Sequence, residues 1–180
     1  MQERHRAMAE TFRSFVEQVD HELPGPDATE RSLGAVAERL RQLSAAVRLD
    51  ASDYRPARPG EELLYELARA PGDGPALYLV SDGAGVFSAP HEHLTWAVIF
   101  GISGAEQNFL YRVVDARLRL VRRAGEALVA GGDVLVSGTS SIHSTRVVGT
   151  TPTYHLHLYG KPLDALPEFA VREYSAGEAA

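Results

Sequence analysis

Cysteine is absent from the 180 residues of this chain. That excludes disulfides, thiolate zinc sites, cysteine nucleophiles and any crosslink built on a cysteine sulfur. A metal held here must therefore be bound by imidazole, carboxylate or water. Long apolar runs are also missing: none approaches the ~20 residues that span a bilayer. The charged N-terminus, MQERHRAMAETF, has no signal-peptide core, which predicts a cytoplasmic location and no membrane partner. Clustered positive charge is scarce. The net charge is −6 and the arginines are scattered, which argues against nucleic acid or an anionic membrane as partner. Arg117, Arg119, Arg122 and Arg123 form the one local basic stretch, read as a solvated hairpin. With 44% apolar and 8% aromatic residues the composition is that of an ordinary globule, and the length suits one domain, 1–180.

Two helices are expected first. Met8, Phe12, Phe15, Val16 and Val19 recur at helical spacing, as do Leu33, Val36, Leu40, Leu43 and Val47. Asp27-Ala28-Thr29-Glu30 resembles a capping box that opens the second helix. A Pro-containing linker, Tyr54 to Gly60, ends this section, so 1–53 reads as helices packed on the remainder of the chain. From residue 61 the texture changes to short runs separated by glycine. Leu63–Ala68, Ala76–Ser81, Leu94–Gly101, Phe109–Val114, Arg117–Arg122, Ala127–Ala130, Val134–Val136, Thr145–Val148 and Tyr154–Tyr159 read as strands. Many short strands at regular spacing imply a closed antiparallel barrel or jelly roll over 61–163, with 164–180 as a tail.

Four of the seven histidines occur as two i, i+2 pairs, His91/His93 and His155/His157. Residues two apart on a strand share a face, so His91 and His93 aim two imidazoles at one point while Glu92 points away. His143 lies about fifty residues on. Weighed against solvent-facing or merely structural histidines, this set favours metal binding.

Gly85, five residues, then His91-x-His93, followed later by Gly131-Gly132-Asp133, a strand and His143, resembles the metal motifs of the cupin superfamily. The resemblance implies a mainly β fold, a double-stranded β-helix (jelly-roll) barrel with an N-terminal α-helical section. The glutamate expected after three or four intervening residues past the second histidine is replaced by Ala97 and Val98, and the asparagine after the last by Val147. Three neutral imidazoles would then hold the metal, leaving its full charge and open positions. Imidazole suits several transition metals alike, so ligand type does not choose among them.

Pro90-His91-Glu92-His93-Leu94-Thr95-Trp96-Ala97-Val98-Ile99 and His157-Leu158-Tyr159-Gly160 are similar to the bacterial thiol dioxygenases, relatives of cysteine dioxygenase and 3-mercaptopropionate dioxygenase. That resemblance implies His91, His93 and His143 as ligands of Fe(II), with nickel, manganese or zinc as alternatives. It also implies His157 and Tyr159 as a pair near bound oxygen or substrate. His155 replaces the family's serine. At ~3.3 Å per residue it lies about 13 Å along the strand from Tyr159, so it reads as the outer end of a hydrogen-bonded relay or as a buried structural histidine, not as a fourth ligand. Val98 replaces the cysteine of the eukaryotic branch, so Tyr159 is unmodified.

The arginine that anchors a substrate carboxylate in the family is not in its place. Tyr65 stands at the early-strand position, and Glu168 at the late one, with Arg172 the nearest arginine. Tyr65, Arg146, Arg172 and Trp96 are the candidate substrate contacts. The resemblance implies an O2-dependent dioxygenase acting on the sulfur of a small thiol or thione, working as a monomer or homodimer. The competing expectations are a three-His cupin dioxygenase or isomerase on a non-sulfur substrate, and a non-catalytic cupin binding a metal or small ligand.

Overall fold

Alternation along single strands builds this molecule, because several strands are buried on both faces. The computed structural model describes residues 2–23, 28–47, 53–166 and 172–176. Two helices come first, α1 (Gln2–Glu22) and α2 (Glu30–Val47). Eleven strands come after them among the described residues. They are β1 (Glu62–Arg69), β2 (Ala76–Asp82), β3 (His91–Glu92), β4 (Ala97–Ser103), β5 (Ala105–Asp115), β6 (Leu120–Ala130), β7 (Val134–Ser137), β8 (Ile142–Val147), β9 (Thr153–Tyr159), β10 (Arg172–Glu173) and β11 (Ser175–Ala176).

The strands form two sheets, ordered β1-β2-β9-β4-β7 and β10-β3-β8-β5-β6-β11. All pairings are antiparallel except β11 with β6. This is the mainly β barrel with an N-terminal helical section that the sequence pattern predicts. Both helices pack on the outer face of the first sheet, α1 against β1 and α2 against β4 and β7. Phe12, Val16 and Val19 of α1 and Leu33 and Leu40 of α2 meet Leu77, Leu79, Val98, Leu156 and Leu158 in one core. Each fully buried side chain of this size contributes about 1.5–3 kcal/mol.

The other residues of the same strands face the barrel interior. On β2 these include Tyr78 and Val80, and on β9 His155, His157 and Tyr159, with Ala76, Ala97 and Tyr159 in a second, inner cluster. A strand buried on both faces reads as a continuous apolar run, as Ala76–Val80 does.

Several boundaries differ from expectation, each for a local reason. The strand expected over Leu94–Gly101 starts only at Ala97, because Leu94 has φ of 57° and breaks the extended backbone after His93. Arg117–Arg122 and Ala127–Ala130 are not separate strands. Arg117 lies in the β5–β6 turn, and β6 runs unbroken past Gly125, where a register shift opposite Leu110 and Tyr111 makes a bulge rather than a turn. The basic stretch is therefore a hairpin, as predicted. The cap of α2 is Thr29, whose Oγ1 accepts the Ser32 N–H at 3.2 Å. Asp27, the acceptor expected from the capping-box pattern, lies outside the described residues.

Candidate metal centre

His91 opens β3, His93 stands two residues on, and His143 lies on β8 directly opposite His91 in the ladder. The strand ends at Glu92, yet the His91 and His93 rings still converge, with centroids 4.8 Å apart and each about 5 Å from His143. One nitrogen from each of the three lies within 4.8 Å of the others. Glu92 points elsewhere and accepts the Tyr174 hydroxyl at 2.9 Å.

The hydrogen bonds set the tautomers of two ligands. His91 Nδ1 lies 2.8 Å from the Ala89 carbonyl and His143 Nδ1 lies 3.0 Å from Asn108 Oδ1. Both must donate to these oxygens, which leaves their Nε2 lone pairs for a ligand. His143 Nε2 and His93 Nε2 are 3.1 Å apart. Two nitrogens bound at right angles to one ion at ~2.1 Å would stand about 3.0 Å apart, so the pair fits a shared metal. Burial holds His93 well below the ordinary imidazole range and His143 down to about 3, with the neighbouring imidazoles adding to the effect. His93 and His143 are thus neutral at physiological pH, the state in which imidazole ligates.

Among the described residues no carboxylate joins these three. Ala97 and Val98, at the positions where a glutamate would stand, are fully buried in β4. The three histidines open into a cavity of about 440 Å3, which His157 and Tyr159 also line. His157 Nδ1 and the Tyr159 hydroxyl are 2.9 Å apart, and the Tyr159 and His93 ring centroids are 4.8 Å apart. Burial, with Glu62, Glu106 and Asp82 nearby, pushes the Tyr159 phenol far up and keeps it protonated. Burial likewise keeps His157 neutral.

His155 does not continue this hydrogen-bonded pair. Its ring stacks on His157 with centroids 6.1 Å apart and an interplanar angle of 29°, so the relay expected through it is not formed. The Val129 backbone carbonyl acts on its ring, although neither ring nitrogen has a partner of full hydrogen-bond geometry.

The candidate substrate contacts lie elsewhere. Tyr65 alternates to the helix side of β1, where its hydroxyl donates to the Arg55 carbonyl at 3.1 Å and its ring packs on Tyr54. Trp96 belongs to the helix-side core, fully buried. Arg146 is exposed on β8, its guanidinium over the Phe87 and Phe109 rings, while His143 and Thr145 take the cavity face. Arg172 pairs through its backbone with Glu92, and its side chain lies outside the described residues.

Three site residues escaped the sequence reading. Asn108 carries His143, and its Nδ2 donates to Glu106 Oε1 at 3.1 Å. Glu106 and Asp82 both line the cavity. Their spacing carries no pattern, since the closure of two sheets brings them together. Asn108 and Glu106 share the i, i+2 step of one strand face, which is the one signal that could have linked them.

No protein-family model matches this chain, and no curated protein matches it. Solved structures do. An uncharacterised conserved protein with a double-stranded β-helix domain from Klebsiella pneumoniae is 12% identical, with a TM-score of 0.50 over 71% of this chain and 96% of that one. A cupin superfamily protein from Desulfitobacterium hafniense is 19% identical, with a TM-score of 0.47 over 62% and 87%. Oxalate oxidase in complex with glycolate is 16% identical, with a TM-score of 0.45 over 60% and 55%. The likeness to the Klebsiella domain shows the fold, a double-stranded β-helix. The three-His group comes from this chain's own residues and fits a divalent metal.

Proposed function

We propose that this chain is a non-heme Fe(II), O2-dependent dioxygenase that oxidises the sulfur of a small thiol or thione. The observation that carries the proposal is the composition of one cavity. Three imidazoles, a ligand set without a carboxylate among the described residues, share it with the His157–Tyr159 pair. The bound ferrous ion would supply open positions for sulfur and O2 and the electrons for their reaction. For a thiol the balance is RSH + O2 giving RSO2H, with both oxygen atoms ending on sulfur.

The protein's share is positioning and proton placement. Asn108 and the Ala89 carbonyl orient two ligands from behind. His157 Nε2 is buried without a partner, and an orphaned lone pair costs less than an orphaned N–H. His157 therefore donates from Nδ1 to the phenol oxygen, which leaves the Tyr159 O–H to face the cavity and donate to a bound oxygen or sulfur atom.

The lining also bears on the substrate. Among the described residues the cavity is lined by Glu62, Asp82 and Glu106 but by no lysine or arginine. A carboxylate buried there would have no cationic partner. Leu64, Phe87 and Leu163 supply an apolar wall. A thiol or thione without a carboxylate fits best.

The test is metal analysis of the purified protein together with oxygen consumption by the ferrous form on a panel of thiols and thiones, with and without carboxylates. The expected result is uptake with a non-carboxylate member and a product heavier by two oxygen atoms. Uptake with a diketone or phenol instead would move the reaction to carbon. Metal binding without uptake on any substrate would leave a non-catalytic cupin.

A further inference from the structure

A second set of ligand-type side chains closes the barrel interior beside the three-His group. Asp82 comes from β2, Glu106 from β5 and His155 from β9, so both sheets contribute. One ligand atom from each lies within 4.8 Å of the others. The three are 4%, 2% and 0% exposed, which rules out a solvated acidic patch.

Asp82 and Glu106 share a side-chain hydrogen bond with each other, but the remaining polar atoms of this set are poorly satisfied by the protein. Asp82 Oδ1 and both ring nitrogens of His155 are buried without a hydrogen-bond partner, the Val129 backbone offering His155 only a weaker contact. His155 Nδ1 stands 3.9 Å from Glu106 Oε2, too far for a hydrogen bond. Thr153 Oγ1, on the residue that pairs with Asp82 across the sheet, is also buried and unpartnered. Buried polar atoms are nearly always paired, so a group of unpaired atoms gathered at one place marks a missing partner.

Charge says what that partner is. Two carboxylates and a neutral imidazole carry two negative charges, which one divalent cation cancels. Without a cation the carboxyls must hold protons: burial first, then neighbouring carboxylate charge, pushes Asp82 up to about 7 and Glu106 up to about 8. Size points the same way: Asp82 and Glu106 line the cavity and His155 does not, and burial of all three leaves the gap between them to an occupant as small as a bare ion.

We propose that Asp82, Glu106 and His155 form a second divalent-cation site, distinct from the three-His centre and suited by its mixed oxygen and nitrogen donors to manganese, iron or zinc. The two sites are physically joined. Glu106 belongs to the second, and through Asn108 it supports His143 of the first.

Metal stoichiometry tests this without reference to any reaction. Wild-type protein equilibrated with Mn(II) or Zn(II) and freed of excess should carry two ions per chain. The isosteric variants Asp82→Asn and Glu106→Gln combined, or His155→Gln alone, should carry one. His91→Ala combined with His143→Ala should also carry one, at the other site. Wild-type crystals soaked in Mn(II) give the reading that does not depend on a variant folding: an anomalous peak is expected between the three side chains. Saturation at one ion, lost entirely in the His91/His143 variant, would overturn the proposal and leave a carboxyl pair sharing a proton. So would a saturated crystal with no peak at that point. Sulfur oxidation stands or falls separately, on oxygen uptake.

Discussion

Replacing Asn108 by leucine, similar in size and apolar, tests how the centre is built. Asn108 is fully buried, accepts from His143 Nδ1 at 3.0 Å and donates to Glu106 Oε1 at 3.1 Å. Asn108→Leu fills the space but removes both bonds, so His143 is free to rotate and to place its proton on the nitrogen that should ligate. Losing such a support typically weakens metal binding 10- to 100-fold, or about 1.4–2.7 kcal/mol. The two groups left buried without partners should lower metal-free stability by about 2–4 kcal/mol. Competition with a chromophoric chelator under anaerobic conditions reads the affinity, and urea denaturation of the metal-free protein reads the stability. Asn108→Asp separates the two roles. It keeps an acceptor for His143 and should hold metal, while losing the donor to Glu106. If Asn108→Leu binds metal within about twofold of wild type, the argument that Asn108 fixes the ligand is wrong.

Tyr159→Phe should retain full metal and lose about 1–3 kcal/mol from the broken bond to His157, with turnover slowed about 10- to 100-fold on the active sulfur substrate; unchanged turnover across the panel would remove its role. Metal-free protein should lose stability as pH rises from 6.5 to 8.5. In that window unfolded carboxyls have released their protons while folded Asp82 and Glu106 hold theirs up to about 7 and 8, and this loss outweighs the remaining gain from unfolded histidines, which are half deprotonated at 6.5. The benefit of those raised values is complete below the unfolded carboxyl range and is lost through the folded one. Urea midpoints should therefore fall, by roughly 1–3 kcal/mol, and Asp82→Asn should flatten the slope; a flat or rising wild-type profile contradicts this. A Cβ on Gly101 would meet the Ala130 carbonyl oxygen at 2.1 Å, whereas one on Gly125 meets only Leu110 Cδ1 at 3.9 Å. Thermal denaturation should show Gly101→Ala destabilised by about 3 kcal/mol and Gly125→Ala within about 0.5.

The residues also show what a chain can disclose before it folds. The barrel and its helical layer were legible because periodicity is a local property, and Met8 through Val19 or Tyr154 through Tyr159 display it within one element. The histidine triad was legible as a candidate because His91 and His93 share a face over two residues, a relation that survives the break at Leu94. Facing was harder to read. Tyr65, at the early-strand anchor position, and Trp96, inside the histidine motif, looked like cavity residues, yet β1 and the approach to β4 turn them toward the helices. Asp82 and Glu106 were not among the candidates for another reason. Each is a single acid in an ordinary strand, and only the closure of two sheets over a 24-residue separation makes them neighbours. The break expected between Arg122 and Ala127 is a bulge, and one bulged strand looks like two short ones in one dimension.

β9 has no spare face. Its even-numbered residues, Tyr154, Leu156 and Leu158, hold the helices, and its odd-numbered ones, His155, His157 and Tyr159, furnish the interior. A one-residue insertion or deletion here would exchange the two sets, sending imidazoles into the apolar layer and leucines toward the cavity. The core and the chemistry would fail at the same stroke. The β5–β6 turn, where exposed Leu118 sits between scattered arginines, absorbs the same change in solvent. Lineages of this chain can therefore vary in length at that hairpin while remaining locked in length across residues 153–159, whatever substrate each has come to use.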